Sequence, residues 1–597
     1  MSTAILTGQP VPGSSIEGDL RSLGFDVRVA ADAADAETLL AQVPSDQRVA
    51  VVDARFVGHL HALRLGLTDP RFPLAAIPGA VTAQAAGRQA LTRAMARDNS
   101  AGGGTAVAVD SLADRMVTAL DADGAGVHRP ELGSLVAEVP ADPQARNEAR
   151  QAVANVDEEA VRLKSAVKSR DGFFTTFCIS PYSRYLARWC ARRGLTPNQV
   201  TTASLLTALI AAGCAATGTR VGFVAAGILL ICSFVLDCTD GQLARYSLQY
   251  STLGAWLDAT FDRAKEYAYY AGLALGAARG GGGDDVWALA LGAMILQTCR
   301  HVVDFSFNEA NHDATANTSP TAALSDKLDS VGWTVWVRRM IVLPIGERWA
   351  MIAVLTAVTT PRITFYVLLA GCAFAATYTT AGRVLRSLTR RAQRTDRAAQ
   401  ALADLADNGP LASLVARATR VRLGAPLLVA TAGAAVLAVS LVSGVTWAPV
   451  AGAVVYTVTA GQALYRPLKG ALDWLVPPLF RFAEYGTVLV LAAKADVNGA
   501  LPAAFGLVAA VAYHHYDTVY RIRGNAGAPP AWLVRAIGGH DGRTLLVTVL
   551  AAVLTASQFK VALTALAVAV ALLVLVESIR FWVSAGAPAV HDEGEPA

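Results

Sequence analysis

Four aspartates stand close together in the chain, Asp237, Asp240, Asp258 and Asp262. The first two are three residues apart and the last two are four apart, so on helices each pair shares one face. Only eight residues separate Arg245 from Gly254, which leaves room for a short connection between antiparallel neighbours. All four carboxylates then converge. An unpaired carboxylate near a bilayer core costs about 2.5–3.5 kcal/mol on insertion scales, and like charges repel, so something cationic must sit among them. Hard divalent cations take oxygen ligands, and a pair of ions would satisfy all four groups. Water-wetted interfacial charge is the plainer alternative. Gly241, Ala244 and Gly254 argue against it, because small residues let helices and a ligand approach closely.

The elements that carry these residues read as membrane spans. Of the 597 residues, 53% are hydrophobic and only 16% charged, against roughly 25% charged in soluble proteins. The first 170 residues are of soluble character; beyond them, apolar runs of about 20 residues match a ~30 Å hydrocarbon core. They are expected near 200–218, 221–245, 253–276, 285–304, 341–360 and 362–382. A second set is expected near 425–443, 446–465, 474–493, 499–517, 543–558 and 561–583. Arg184, Arg188, Arg192, Arg193, Arg338, Arg339, Arg348, the run Arg383 to Arg394, Arg521, Arg523, Arg535 and Arg543 then fall on one face. By the positive-inside rule that face is cytoplasmic. No signal peptide is read at Met1–Thr7, so both termini and the aspartates are expected on the cytoplasmic side of the membrane. A net charge of +4 gives no reason to expect a nucleic-acid partner. The seven cysteines show no C-x-x-C spacing and read as reduced. Abundant Arg and Ala suggest a bacterial chain and its inner membrane.

Residues 1–142 alternate short strands (Ala4–Leu6, Phe25–Val29, Val49–Val52) with helices expected at 15–23, 33–42 and 81–97, an α/β layer pattern. Gly102–Gly104 is a breaker, and 143–170 reads as one polar connector helix. The expected fold is an α-helical polytopic membrane protein with an N-terminal soluble α/β domain. Its parts are a head (1–142), connector and juxtamembrane helices (143–198), a six-span unit (199–390), an amphipathic linker (391–424) and a second six-span unit (425–597).

The pattern Asp237-x2-Asp240-Gly241-x2-Ala244-Arg245-x8-Gly254-x3-Asp258-x3-Asp262 resembles the signature of the CDP-alcohol phosphotransferases (CDP-alcohol phosphatidyltransferases) at every fixed position. Thr196-Pro197-Asn198 before the first span and the six-span unit are similar to that family too. The resemblance implies transfer of a substituted phosphate from a CDP-alcohol to an acceptor hydroxyl, with release of CMP. It implies Mg²⁺ or Mn²⁺, two ions, held by Asp237, Asp240 and Asp258 with Asp262 sharing, and Asp262 as general base. Gly241, Ala244, Arg245 and Gly254 would line the CDP, with Asn198 a nucleotide contact. The partners implied are the donor, an acceptor alcohol such as inositol phosphate or a lipid, and membrane lipids. Arg300, Arg338 and Arg339 are candidates for a phosphorylated acceptor. The order of parts resembles the bifunctional inositol-phosphate cytidylyltransferase/di-inositol-phosphate-phosphate synthases. In the head, however, Gly8-Gln9-Pro10-Val11-Pro12-Gly13 lacks the basic residues of that family's phosphate loop. Its prolines also lack the N–H donors a phosphate cradle needs. The head is therefore expected to be catalytically degenerate.

The second set of spans echoes the first. Thr239-Asp-Gly-Gln-Leu243 recurs as Thr459-Ala-Gly-Gln-Ala463, Arg263-x2-Glu266-Tyr267 as Arg481-x2-Glu484-Tyr485, and His301-x2-Asp304 as His514-x2-Asp517. With Ala460 in place of Asp240 and Pro477-Pro478 near the start of its third span, the copy has lost its chemistry. It is expected to serve as an internal pseudo-dimer partner in place of, or beside, a homodimer. The competing classes are a non-catalytic membrane scaffold or lipid-binding protein and a transporter, the latter suggested by twelve spans in repeated halves.

Overall fold

The computed structural model describes residues 2–9, 11–100, 111–168, 171–281, 285–312, 336, 340–389, 394–418 and 424–584. Gly102–Gly104, Arg338 and Arg339 lie outside the described residues.

The head is built on a five-stranded sheet in the order β2-β1-β3-β6-β5. β1 (Ser2–Thr7), β2 (Phe25–Ala30) and β3 (Val49–Asp53) are parallel, joined through α1 (Ile16–Ser22) and α2 (Ala33–Gln42). Ala4, Ile5, Leu6 and Val49–Val52 are wholly buried, as continuous apolar strands covered on both faces must be. After β4 (Val57–Gly58) and α3 (Leu60–Leu67), β5 (Leu74–Ile77) and β6 (Ala80–Ala83) form an antiparallel hairpin across Pro78-Gly79. The helix expected over 81–97 therefore begins only at Arg88, as α4 (Arg88–Ser100). Pro-Gly, with Gly79 at φ +75°, makes the turn that periodicity overlooked. α5 (Leu112–Ala122) and the short β7 (Ala137–Glu138) complete the head. The connector is two helices rather than one, α6 (Pro143–Ala154) and α7 (Glu158–Ser165). Asp157 breaks it by accepting a hydrogen bond from the Ala160 N–H as an N-cap.

α8 (Ser180–Arg192) is amphipathic, with Tyr182, Tyr185 and Trp189 exposed among arginines, as suits a helix lying at a membrane interface. The first membrane unit is α9 (Pro197–Ala216), α10 (Arg220–Ser247), α11 (Thr252–Arg279), α12 (Asp285–Asn311), α13 (Ile345–Val358) and α14 (Pro361–Thr389). The linker helices α15 (Asp396–Ala406) and α16 (Pro410–Ala418) follow. The second unit is α17 (Pro426–Ser440), α18 (Trp447–Ala463), α19 (Val476–Lys494), α20 (Ala500–Arg523), α22 (Gly539–Val553) and α23 (Ala556–Ser584), with the short α21 (Ala531–Ile537) before α22. Among the described residues, seven helices are long and apolar enough to cross a bilayer by composition: α9, α10, α12, α14, α17 with its 3₁₀ extension, α19 with the turn before it, and α23. α11 falls short because it carries Asp258, Asp262, Arg263, Lys265 and Glu266.

The two units pack alike. α9 lies on α10 and α11, α10 on α13, and α12 on α14. Likewise α17 lies on α18 and α19, α18 on α22, and α20 on α23. Between units, α12 packs on α19, α11 on α20, and α12 on α20. That exchange of positions is the reciprocity of a two-fold, isologous interface. Buried networks match as well. Glu266 is ion-paired with Arg263 (Nη1, 2.9 Å) and Arg348 (Nε, 3.1 Å), while Glu484 is ion-paired with Arg481 (Nη1, 2.8 Å) and Arg543 (Nε, 2.5 Å). Asp304 pairs with Arg383 of α14, and Asp517 accepts from Ser578 and Trp582 of α23.

These networks correct the charge map. Arg348, Arg521 and Arg543 are buried inside the bundle in ion pairs and are not loop charge. Breaking such a pair strands a desolvated charge, typically at about 3–5 kcal/mol. Glu266→Ala and Glu484→Ala are therefore both expected to lower the melting temperature of the detergent-purified protein clearly. Glu484→Ala should do so although no aspartate of the first unit's cluster lies on its helix.

Candidate active site

Asp237 and Asp240 lie in the last turns of α10, Asp258 and Asp262 in the first turns of α11. The connection is four residues long. Leu248 closes α10 in the left-handed region at φ 54°, and Ser251 caps α11 by accepting from the Gly254 N–H at 2.9 Å. Both helices pack chiefly on α9, so the carboxylates meet across the space between α10 and α11. Ligand oxygens of Asp237, Asp240 and Asp258 lie within 4.8 Å of one another. Asp240 is 4% exposed and its Oδ2 is buried with no hydrogen-bond partner. Three converging carboxylates with an orphaned oxygen fit one hard divalent cation.

Asp262 is not one of the three whose ligand oxygens converge, although it lies beside Asp237. Its Oδ1 faces Lys265 Nζ at 2.9 Å, and the same ammonium is ion-paired with Asp237 and donates to Ser204 Oγ of α9 at 3.2 Å. Lys265 is fully buried and lies 5.5 Å from the ring centre of Trp349 on α13. Sequence reasoning demanded a cation among the aspartates and passed over this one. The signal was present: Lys265 is one turn beyond Asp262 on the same face of a membrane helix, where an ionisable residue needs a named partner.

Asn198 and Gly254 meet where α9 approaches the start of α11, and Gly241, Ala244 and Arg245 lie in the last turns of α10. A Cβ on Gly254 would meet Asn198 Oδ1 and Ser251 Oγ, each at 2.8 Å, so the close approach of α9 to α11 requires glycine. Thr196 caps α9 in a reciprocal box with Gln199, and Pro197 takes the first turn. A Cβ on Gly241 would meet only the Arg245 guanidinium, at 3.6 Å, which leaves that helix face open. Ala244 is buried beside it. Arg245 Nε donates to the Ala166 carbonyl at 2.6 Å, tying α10 to the end of α7. A cavity of about 280 Å³ is lined by Thr196, Asn198, the 248–251 connection and, unforeseen, Pro70 of the head. The neighbouring Arg71 lies 4.1 Å over the Tyr250 ring. Arg300 is buried on α12, donating to the Val342 carbonyl with Nε and Nη1 unpartnered.

The corresponding place in the second unit is closed. With the offsets of the repeated motifs, Asp237, Asp240, Asp258, Asp262 and Lys265 correspond to Thr457, Ala460, Val476, Phe480 and Ala483. Phe480 stacks on His540 with centroids 4.3 Å apart, and Tyr456 OH sits 2.7 Å from His540 Nδ1. A Cβ on Gly461, the counterpart of Gly241, would strike the Ala412 carbonyl of α16 at 2.5 Å. Pro477 and Pro478 do not break α19; they sit in its first turn, where proline is tolerated.

Residues 194–375 match the family model for CDP-alcohol phosphatidyltransferase, and residues 396–597 match a family of unknown function. The chain is 32% identical over 114 residues to the bifunctional IPC transferase and DIPP synthase of Aquifex aeolicus, 19% of this chain and 26% of that protein. It is 33% identical over 132 residues to the phosphatidylinositol phosphate synthase of Streptomyces avermitilis, 21% of this chain and 51% of that protein. It is 35% identical over 91 residues to the archaetidylinositol phosphate synthase of Pyrococcus horikoshii, 15% and 47% respectively. The chain thus spans about a quarter to a half of the length of these relatives. The segment 194–375, which the CDP-alcohol phosphatidyltransferase model matches, holds all four aspartates between α9 and α14.

Proposed function

We propose that the chain transfers a substituted phosphate from a CDP-alcohol to an acceptor hydroxyl and releases CMP, in a reaction that requires a divalent cation. The observation that carries this reading is the convergence of Asp237, Asp240 and Asp258 beside an open glycine face and a cavity reaching Asn198. Asp237, Asp240 and Asp258 would hold Mg²⁺ or Mn²⁺. When bound, the cation neutralises phosphate charge and acidifies the acceptor hydroxyl. Gly241 lets the diphosphate approach the helix backbone, and Arg245 offers its guanidinium to a phosphate oxygen. Asn198 and Gly254 form the floor on the nucleotide side. Asp262 takes the acceptor proton, and the donor phosphorus–oxygen bond to CMP breaks as the acceptor bond forms. A carboxylate suffices as base there because the hydroxyl is acidified beside it.

For the acceptor, we propose a phosphorylated polyol of the inositol-phosphate kind. Two of the relatives named above carry inositol phosphate in their names, and Arg300 is a buried guanidinium with two unpartnered nitrogens. Arg300 adjoins His301, which contacts Arg263 at 3.4 Å, and Arg263 follows Asp262 in the chain. We place the site on the cytoplasmic face of a bacterial inner membrane, where CDP-alcohols and phosphorylated polyols are available. The second unit acts as a catalytically silent repeat that replaces a partner subunit at α11 and α12; its matching buried networks and filled site support this.

An acceptor screen with the purified full chain tests the assignment. Labelled inositol phosphate is expected to enter product with CDP-diacylglycerol or another CDP-alcohol as donor. Product with free inositol, and none with its phosphate, would contradict the phosphorylated acceptor. The head is expected to show no CTP-dependent nucleotidyl transfer, because its loop after β1 carries prolines in place of N–H donors and basic residues. Formation of a CDP-alcohol from CTP and a phosphorylated alcohol would refute that.

A further inference from the structure

We infer that this site holds a single divalent cation, with the Lys265 ammonium standing where a second would bridge Asp237 and Asp262. The inference rests on the divalent-cation reading above and goes beyond it. Lys265 is not a surface side chain that has drifted onto the acids. It is fully buried, and four elements build its seat: Asp262 on its own helix, Asp237 on α10, Ser204 on α9, and the face of Trp349 on α13. A buried ammonium without these partners would be left desolvated and unpaired, so binding of an ion elsewhere in the site gives it no cause to leave. The oxygens a second cation would share, Asp237 Oδ1 and Asp262 Oδ1, both face Nζ. An ion bridging them would have to sit against a positive charge at contact distance in a poorly screened interior. The oxygens that remain are those of the Asp237–Asp240–Asp258 triple, including the unpartnered Asp240 Oδ2, and they form one ligand set.

Lys265 is thereby a positioning residue. Through its ion pair it holds Asp262 out of the metal's coordination. This separates the two roles the aspartates share: three hold the ion, and the fourth accepts the proton.

The test counts Mn²⁺ bound to the purified full chain by calorimetry, with electron paramagnetic resonance to distinguish an isolated ion from a spin-coupled pair. The wild type is expected to bind one Mn²⁺ per chain with an isolated-ion spectrum. Lys265→Met is expected to bind two, with coupling broadening at saturation. Two coupled ions in the wild type would overturn the inference whatever the variants do, so it stays testable if Lys265→Met fails to fold. One ion in a folded Lys265→Met protein would also overturn it, since Lys265 would not then be what excludes the second. No Mn²⁺ bound by the wild type would overturn the cation reading itself, a result distinct from a wrong count.

Discussion

Asp240→Ala should abolish turnover in a chain that still folds. Asp240 combines near-complete burial, an unpartnered Oδ2, and a place in the only cluster of three side chains able to hold a metal ion found among the described residues. On the proposed reading, removing it deletes a ligand from a three-carboxylate set. An ion in that role contributes several kcal/mol of charge stabilisation, which corresponds to a loss on the order of 10³-fold or more in rate. Removing the carboxylate also relieves repulsion with Asp237 and Asp258, so the melting temperature should not fall in parallel. The expected signature is lost CMP release and weakened Mn²⁺ binding with stability preserved. Retained turnover would show that Asp240 is interfacial charge.

Asp262→Asn separates base from ligand. The amide keeps the size of the side chain and removes its capacity to take a proton, a change that costs about 10²–10⁴-fold for a general base. Because Asp262 faces Lys265 and lies outside the triple, the variant should still bind a CDP-alcohol and Mn²⁺ with near-normal affinity. Single-turnover CMP release at saturating Mg²⁺, measured beside donor binding, distinguishes the cases. Near-wild-type release would remove the base assignment; lost donor binding would make Asp262 chiefly a ligand.

Much of this arrangement was legible in the chain because membrane helices advertise themselves by length and apolarity, and the aspartate spacing allows one helical face per pair. All twelve expected spans have a helix in the structure at or near their place. What the sequence did not disclose depends on partners distant in the chain. Lys265 reads as one more charge on α11 until α9, α10 and α13 are brought around it. Arg348, Arg521 and Arg543 read as loop charge until Glu266, Glu577, Glu484 and Asp407 are seen to bury them. The likeness between the two units was faint in the chain for the same reason. Three short motifs hinted at it, whereas the Arg–Glu–Arg network includes Arg348 and Arg543, whose separation departs from the offsets of the other pairs. The β5–β6 hairpin was lost to an apolar, alanine-rich stretch that fits a helix as well as a strand, with Pro78-Gly79 the discriminating turn. Pro70, which lines the cavity, and Arg71, which lies over Tyr250, carry no motif at all and meet the membrane unit only in the folded chain.

Release of CMP from a CDP-alcohol by the purified full chain, with and without a chelator, bears most directly on the central claim. The account predicts CMP formed in step with a phosphodiester product in Mg²⁺ or Mn²⁺, none in EDTA, and none from Asp240→Ala. Undiminished CMP release in EDTA, or no release across a panel of CDP-alcohols and acceptors by protein that binds Mn²⁺, would contradict it.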